Sequence, residues 1–393
     1  MLAFTFPGQG SQRPGMGQAW VDHPSWELVD DASEAVERDV ARLLLDAGAD
    51  ELTETRNAQL ATFTLSLVVL DAVERLGIAP GICAGHSLGE YTALVATGAL
   101  SFEDGARVVF ERGEAMQAAA EDNPGTMAAI LGLDDELVDQ ACRRADGDVW
   151  VANYNAPGQV VIAGSRESVA LAGAEAKSLG AKKVLPIPVG GAFHTPYMAG
   201  ARNRLRKALG EADFLPPEVP VVANVDSRAY REAADWPSLL SSQLQSPVRW
   251  RQSLLQLAEE GATVFVELGA GGVLSGLVRR TLPSVTGVAV ATPADLDKLV
   301  DALAGDTPLH DYLSQHQGEQ FFMSERLVVS PGAGVFAPAD DAAPETVAVG
   351  ELIGKVGTHE VRSPFAGSLM GMLAMAGERV QVGQPVAWLR TQS

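Results

Sequence analysis

Gly81-Ile82-Cys83-Ala84-Gly85 runs without a break into His86-Ser87-Leu88-Gly89-Glu90, and how these ten residues are read decides the fold. The first five are small and apolar, suited to a short buried strand, and Tyr91 to Ala96 continues with helical periodicity. A serine between two glycines at such a junction is a nucleophile elbow. The glycines let the backbone turn sharply, and the turn lifts the Ser87 hydroxyl to a helix N-terminus, where N–H groups point at developing negative charge. The alternative is a packing turn with an incidental serine. A strand–turn–helix succession with glycines at the turn predicts an α/β fold with a parallel sheet.

On the N-terminal side, Leu2 to Phe6 is a short apolar strand that ends in the glycine-rich loop Pro7-Gly8-Gln9-Gly10-Ser11-Gln12. Ser25 to Ala47 and Asn57 to Leu76 have helical periodicity, as does Phe102 to Ala120. Beyond Asn123 the texture changes. Strands are expected at Thr126–Leu131, Val149–Asn153, Gln159–Ala163 and Lys183–Val189, with helices at Asp135–Arg144 and Ser165–Leu179. This βαββαβ order predicts a ferredoxin-like subdomain over about 123–190, inserted in the larger domain. The α/β pattern resumes through Val221-Val222-Ala223-Asn224, Val264-Phe265-Val266-Glu267 and the glycines of 269–272. The first domain is therefore expected to span 1–290. Residues 291–320 are polar and weakly periodic, which predicts a fraying tail and linker.

From about 321 to 393 the chain repeats itself. Val329-Ser330-Pro331-Gly332-Ala333-Gly334 returns as Arg362-Ser363-Pro364-Phe365-Ala366-Gly367, and Val349-Gly350-Glu351-Leu352 as Val382-Gly383-Gln384-Pro385, both offset by 33 residues. Two similar β half-units are expected to pack as one small all-β barrel-sandwich.

Composition narrows the function classes. The 393 residues are 47% apolar and 20% charged, enough for real cores and too apolar for a disordered chain. With 50 acids against 29 bases the net charge is −21, which argues against holding nucleic acid or an anionic membrane through the overall field. The best apolar run, Leu60 to Leu70, is interrupted by Thr62, Thr64 and Ser66 and falls short of the roughly 18 residues of a membrane span. No Lys or Arg precedes Arg13, so no secretory signal is expected. Two cysteines, Cys83 and Cys142, make neither a disulfide framework nor a zinc site. The expectation is a cytoplasmic protein without a bound metal.

A nucleophilic serine needs a base, and the chain offers six histidines. His23 sits in a polar loop, His310 and His316 in the expected linker, and His359 in the repeat. His86 adjoins the serine but points elsewhere on a sharp turn. Elimination leaves His194, in Gly190-Gly191-Ala192-Phe193-His194-Thr195-Pro196, although no neighbouring acid stands out to orient it. Arg112, on the helix after Phe102, is either a surface cation or, if it faces the serine, a planar fork for a substrate carboxylate.

Six blocks, occurring in order, now carry a resemblance. Gly8-Gln9-Gly10-Ser11-Gln12, Gly85-His86-Ser87-Leu88-Gly89-Glu90, Arg112-Gly113-Glu114-Ala115-Met116-Gln117, Asn153-Tyr154-Asn155-Ala156-Pro157-Gly158-Gln159, Gly191-Ala192-Phe193-His194 and Gln243-Leu244-Gln245-Ser246-Pro247-Val248-Arg249-Trp250 together resemble the malonyl-CoA:acyl carrier protein transacylases over about residues 1–290. The resemblance implies a hydrolase-like core and transfer of malonyl from coenzyme A to the phosphopantetheine thiol of acyl carrier protein, through a Ser87 ester, for fatty acid or polyketide synthesis. It implies His194 as base, the Gln243 backbone carbonyl as the group that orients it, and backbone N–H groups of Gln9 and Leu88 as the oxyanion hole. Arg112, Asn155 and Phe193 would bind substrate, with Arg112 on the malonyl carboxylate; Phe193 and Leu88 resemble the malonyl-selective pattern.

The C-terminal repeat departs from that family and resembles a biotinyl/lipoyl-type barrel. Aligned on Val361-Arg362-Ser363-Pro364, Val356 stands where the carrier lysine belongs, and Lys355 is one position off, which in a strand turns it to the opposite face. The barrel is expected to carry neither biotin nor lipoate. Two other functions stay open: a serine esterase, and a malonyl-transferring subunit of a carboxylase or decarboxylase assembly.

Overall fold

The computed structural model describes residues 1–306, 325–339, 346–363, 366–381 and 383–390. It divides into two compact units, Met1–Ala302 and Leu303–Ser393. In chain order the first unit runs β1 (Leu2–Phe6), α1 (Glu27–Val36), α2 (Val40–Leu45), α3 (Ala49–Thr53), α4 (Thr55–Glu74), β2 (Ile82–Gly85), α5 (Gly89–Ala96) and α6 (Phe102–Asp122). It continues with β3 (Thr126–Leu131), α7 (Asp135–Arg144), β4 (Val149–Ala156), β5 (Gln159–Gly164), α8 (Arg166–Ser178), β6 (Lys183–Ile187) and α9 (Ala199–Glu211). Then come β7 (Val221–Val222), β8 (Ala229–Tyr230), α10 (Trp236–Gln243), α11 (Trp250–Glu259), β9 (Val264–Leu268), α12 (Val273–Thr281), β10 (Thr286–Val290) and α13 (Ala294–Asp306).

The main sheet has the order β10-β9-β1-β2-β7-β8. Every residue of β1 is buried, as expected of a central strand covered on both faces. The sheet is mixed rather than wholly parallel: the short edge strand β8 turns back antiparallel to β7, with Val221 opposite Tyr230. Across it lies α4, buried on nearly every side, which explains why its sequence shows little amphipathic contrast. A second sheet, β4-β5-β3-β6, is antiparallel throughout. With α7 and α8 it closes a core that includes Ile130, Val138, Val160 and Val169. β4 is tied to the loop before α11, where Val248 N–H donates to the Ala152 carbonyl and Tyr154 N–H to the Val248 carbonyl, each at 2.9 Å.

Two further expectations need correcting. Ser25 to Ala47 is not one helix. A 3-10 turn at Pro24–Trp26 leads into α1, which stops where Glu37 takes a left-handed conformation, φ 51°. Asp39 then starts α2 by accepting the Arg42 N–H. The expected linker, 291–320, begins with the ordered helix α13. The Asp295 carboxylate accepts from the Ala291 and Thr292 N–H groups, Trp20 Nε1 donates to the Ala291 carbonyl at 3.0 Å, and Leu299 is fully buried. Its charged side chains mask that anchor in the sequence. The rest of that stretch, 307–320 with His310 and His316, lies outside the described residues.

The second unit holds β11 (Glu325–Val329), β12 (Gly334–Pro338), β13 (Thr346–Val347), β14 (Leu352–Val356), β15 (His359–Arg362), β16 (Gly367–Met372), β17 (Arg379–Val380) and β18 (Pro385–Arg390). Its sheets have the orders β11-β18-β16-β13 and β15-β14-β12-β17. The sequence offset maps β12, β13 and β14 onto β16, β17 and β18, so one sheet order becomes the other when the halves are exchanged. Phe336, Val347, Val356, Val380 and Val386 lie in the shared core. Pro364 and Phe365 of the repeat lie outside the described residues. Among the described residues, no helix is long and apolar enough to cross a membrane.

Candidate active site

Ser87 stands between the end of β2 and the start of α5 with φ +54°, a left-handed conformation rare for a residue with a side chain. The turn is therefore made by the serine itself, and the flanking glycines serve another purpose. A Cβ on Gly85 would meet the Gly89 carbonyl at 1.8 Å, and one on Gly89 the Phe6 carbonyl oxygen at 2.0 Å. They let α5 press against β1 and β2. Strain of this kind costs about 1–3 kcal/mol and persists where neighbours over-determine it. Here the neighbour is Asn224, just after β7. Its Oδ1 accepts the Ser87 N–H at 2.7 Å and its Nδ2 donates to the Gly85 carbonyl at 2.7 Å, bracing the elbow on both sides.

His194 follows β6 in a loop that also takes a left-handed turn, φ +60°. Its Nδ1 lies 2.9 Å from the Gln243 backbone carbonyl and its Nε2 lies 2.7 Å from Ser87 Oγ. A carbonyl only accepts, so Nδ1 carries the proton and the bare Nε2 accepts from the serine hydroxyl. Burial, reinforced by the positive Arg112, lowers the His194 pKa to about 3. The imidazole is neutral at physiological pH and ready to take a proton.

Arg112, on α6, is buried against the site. Nη2 donates to Ser87 Oγ at 3.1 Å and to Gln243 Oε1 at 2.9 Å, Nη1 donates to Gln59 Oε1 at 2.6 Å, and the guanidinium lies over the Tyr91 ring at 5.1 Å. Among the described residues, no carboxylate forms an ion pair with it. Glu90, also fully buried, touches it only through Gln243. Glu90 Oε1 accepts the Asn224 N–H at 2.7 Å and Oε2 accepts from Gln243 Nε2, which also donates to the Ser87 carbonyl at 2.8 Å. Burial pushes the Glu90 carboxyl up to about 8, against the pull of these two donors and of Arg112.

A cavity of about 190 Å³ opens onto Ser87 and His194, lined among others by Gln9, Asn155, Phe193 and Leu277. Gln9 lies in the loop after β1. Leu88 opens α5, and because the Ser87 amide is engaged by Asn224, the Leu88 amide is the next one along the elbow. The Asn155 side-chain oxygen is 2.9 Å from His86 Nε2, and the His86 ring also meets Trp250 edge-on at 5.5 Å between centroids. His23 instead caps the Pro24–Trp26 turn. The structure thus gathers Ser87, His194, Arg112, Gln243, Gln9, Asn155 and Phe193 around one site. Sequence reasoning missed Asn224, Gln59 and the side chains of Glu90 and Gln243. Gln59 stands directly before the apolar run Leu60 to Leu70, in a helix buried along nearly its whole length.

A nucleophilic hydroxyl, a neutral base and a buried cation suit acyl transfer through a covalent ester. Residues 3–303 match the acyl transferase domain family model. A malonyl CoA-acyl carrier protein transacylase of Bacillus subtilis is 42% identical over 307 residues, 77% of this chain and 97% of that protein. The crystal structure of an acyl-carrier-protein S-malonyltransferase from Burkholderia pseudomallei is similar at 42% identity and a TM-score of 0.74, covering 76% of this chain and 99% of that one. At 37% identity and a TM-score of 0.74, so is a malonyl-transacylase solved in complex with a type II polyketide synthase acyl-carrier protein, covering 77% and 99% of the two chains.

Proposed function

The chain belongs to the acyl transferase domain family and, within it, to the malonyl-CoA:acyl carrier protein transacylases, and we propose that Ser87, His194 and Arg112 divide the work of that transfer between them. The enzyme moves malonyl from coenzyme A to acyl carrier protein, a step of fatty acid or polyketide synthesis. In this reading His194 Nε2 takes the Ser87 proton as Oγ attacks the thioester carbonyl, and returns it to the departing coenzyme A thiolate. The Gln9 and Leu88 amides receive the negative charge that develops on the carbonyl oxygen. The phosphopantetheine thiol then attacks the ester, His194 taking the thiol proton and passing it to Ser87 Oγ. Asn155 and Phe193 flank the acyl group from the cavity wall.

The observation that carries the reading is Arg112. A buried cation beside the nucleophile, served by neutral oxygens alone, matches the carboxylate that distinguishes malonyl from acetyl. A generic esterase has no use for it. Leaving one member of a buried pair alone costs about 3–5 kcal/mol, or roughly two to four decades in rate. Arg112→Ala should lose malonyl transfer by that factor while acetyl transfer holds or improves, and Arg112→Lys should recover part of the malonyl rate. The measurement is kcat/KM for both thioesters on all three proteins; an equal loss for both acyl groups overturns the assignment.

We further take the main sheet as hydrolase-like and the four-stranded subdomain as ferredoxin-like, supported by its strand order and by the core its two helices share. The C-terminal unit, outside the matched residues, we infer to be a biotinyl/lipoyl-like barrel without biotin or lipoate, a docking or structural module. Val356 is buried in its core, the two-residue turn between β14 and β15 is Gly357-Thr358, and Lys355 lies back along the strand. No bound cofactor is expected beyond the coenzyme A thioester substrate. We place the enzyme in the cytoplasm, in keeping with its free buried cysteines. The acidic net charge speaks against nucleic acid or an anionic membrane as a partner.

A further inference from the structure

We propose that Glu90 is a positioning residue for acyl selectivity: its carboxyl group, accepting from Gln243 Nε2, fixes the Gln243 side-chain amide so that Gln243 Oε1, and through it the Arg112 guanidinium, is held at the nucleophile. The proposal rests on the reading of Arg112 as the malonyl clamp. Glu90 is fully buried on α5, three residues from Ser87, and touches no reacting atom. Both Glu90 oxygens face donors, one the Asn224 N–H and the other Gln243 Nε2, so the group serves as acceptor on both sides, and these donors pull against the burial that raises its pKa. The amide has two ends. With its NH2 turned to Glu90 and to the Ser87 carbonyl, its oxygen must face Arg112 Nη2, 2.9 Å away. Arg112 is thereby presented to Ser87 Oγ at 3.1 Å. The Gln243 main chain meanwhile orients His194, so Glu90 acts on the side-chain arm and leaves the base to the backbone.

Glu90→Gln conserves volume and removes this logic. A carboxamide offers one acceptor and one donor where two donors wait. The Asn224 donor is main chain and cannot turn over, so the conflict falls on Gln243. Either its NH2 meets another NH2, or the amide flips and presents NH2 to Arg112. Losing a hydrogen bond to a charged group is worth about 10- to 100-fold. The ratio of kcat/KM for malonyl-CoA to that for acetyl-CoA should therefore fall by about 10-fold or more, while acetyl transfer stays within several-fold. Glu90→Asp, which keeps the carboxyl group, should recover part of the ratio. Gln243→Leu keeps the backbone carbonyl and removes the arm; it should lower the ratio similarly, and Glu90→Gln added to it should lower it no further.

The test measures that ratio on the full chain carrying Glu90→Gln, Glu90→Asp, Gln243→Leu and the double substitution, with Arg112→Ala in parallel. Equal losses for both acyl groups in Glu90→Gln, or a double variant whose ratio falls by the product of the single effects, overturn the proposal. If Glu90→Gln does not fold, Gln243→Leu decides alone, and an unchanged ratio there overturns it. An Arg112→Ala variant that loses both acyl groups alike overturns the clamp reading itself. Selective loss in Arg112→Ala with none in Glu90→Gln leaves that reading standing and removes only this one.

Discussion

Where the first unit buries the acidic and basic side chains Glu90, Arg112, His194 and Glu267 among its apolar and neutral polar residues, the polar residues buried among the described part of the barrel are two serines, Ser330 and Ser363. Both units bury apolar side chains for stability, but one also desolvates charge. Desolvated charge is costly unless it is answered. Glu267 shows the structural answer: its two oxygens accept the Leu274 and Ser275 N–H groups at the start of α12, at 3.1 and 2.7 Å. Glu90, Arg112 and His194 are answered by one another's neighbours instead, through Gln243 and Asn224. Burial thus separates a unit built to hold a reactive arrangement from one built to hold a shape.

That contrast can be broken most sharply at Ser87. Ser87→Ala should abolish covalent labelling by radioactive malonyl-CoA, and a stoichiometric ester on the variant would place the nucleophile elsewhere. Next in size, His194→Ala should slow both half-reactions by about 10²–10⁴-fold, the usual worth of general acid–base catalysis. An unaltered rate would mean that another group is the base.

A gentler probe is pH. An imidazole whose pKa lies near 3 stays unprotonated far below the ordinary histidine value of 6.5. Single-turnover acylation of Ser87 by acetyl-CoA, which makes no use of the Arg112 clamp, should therefore be flat from about pH 7.5 to 5, and an acid limb centred near 6.5 would contradict the buried setting. The same shift bears on stability. Between these two values the unfolded chain binds a proton that the folded chain refuses, so His194 makes stability rise with pH across that window and fall as pH drops through 6.5. The smallest effect on activity is expected from the barrel. Phe336→Ala removes a fully buried ring and should cost that unit about 3–5 kcal/mol, yet leave malonyl transfer within several-fold. Collapse of the transfer rate on this change would show that the two units are not separable in function.

The sequence made the elbow plain, because strand, serine and helix are contiguous and the glycines flag the close approach. It also isolated His194, since five other histidines had reasons to be elsewhere. It said little about what braces them. The resemblance pointed to the Gln243 carbonyl, but Asn224 and the Gln243 side chain are far from Ser87 along the chain, and neither a strand-end asparagine nor a helix-end glutamine differs locally from countless solvated ones. Only the meeting of β7, α10 and α5 gives them their roles. The same blindness to tertiary partners hid α13, where the exposed Asp297, Lys298 and Asp301 sit beside the single fully buried anchor Leu299.

The exchange of the two barrel sheets has a consequence for how that unit comes together. Each sheet takes strands from both sides of the Gly357-Thr358 turn, β11 and β13 from before it and β16 and β18 from after it. Neither half owns a complete set of ladder partners, so neither is a folding unit by itself. Most of the hydrogen-bonded ladders join strands from opposite halves. A cut at the turn would therefore produce two complementary fragments that remain clasped, each supplying the template on which the other is ordered.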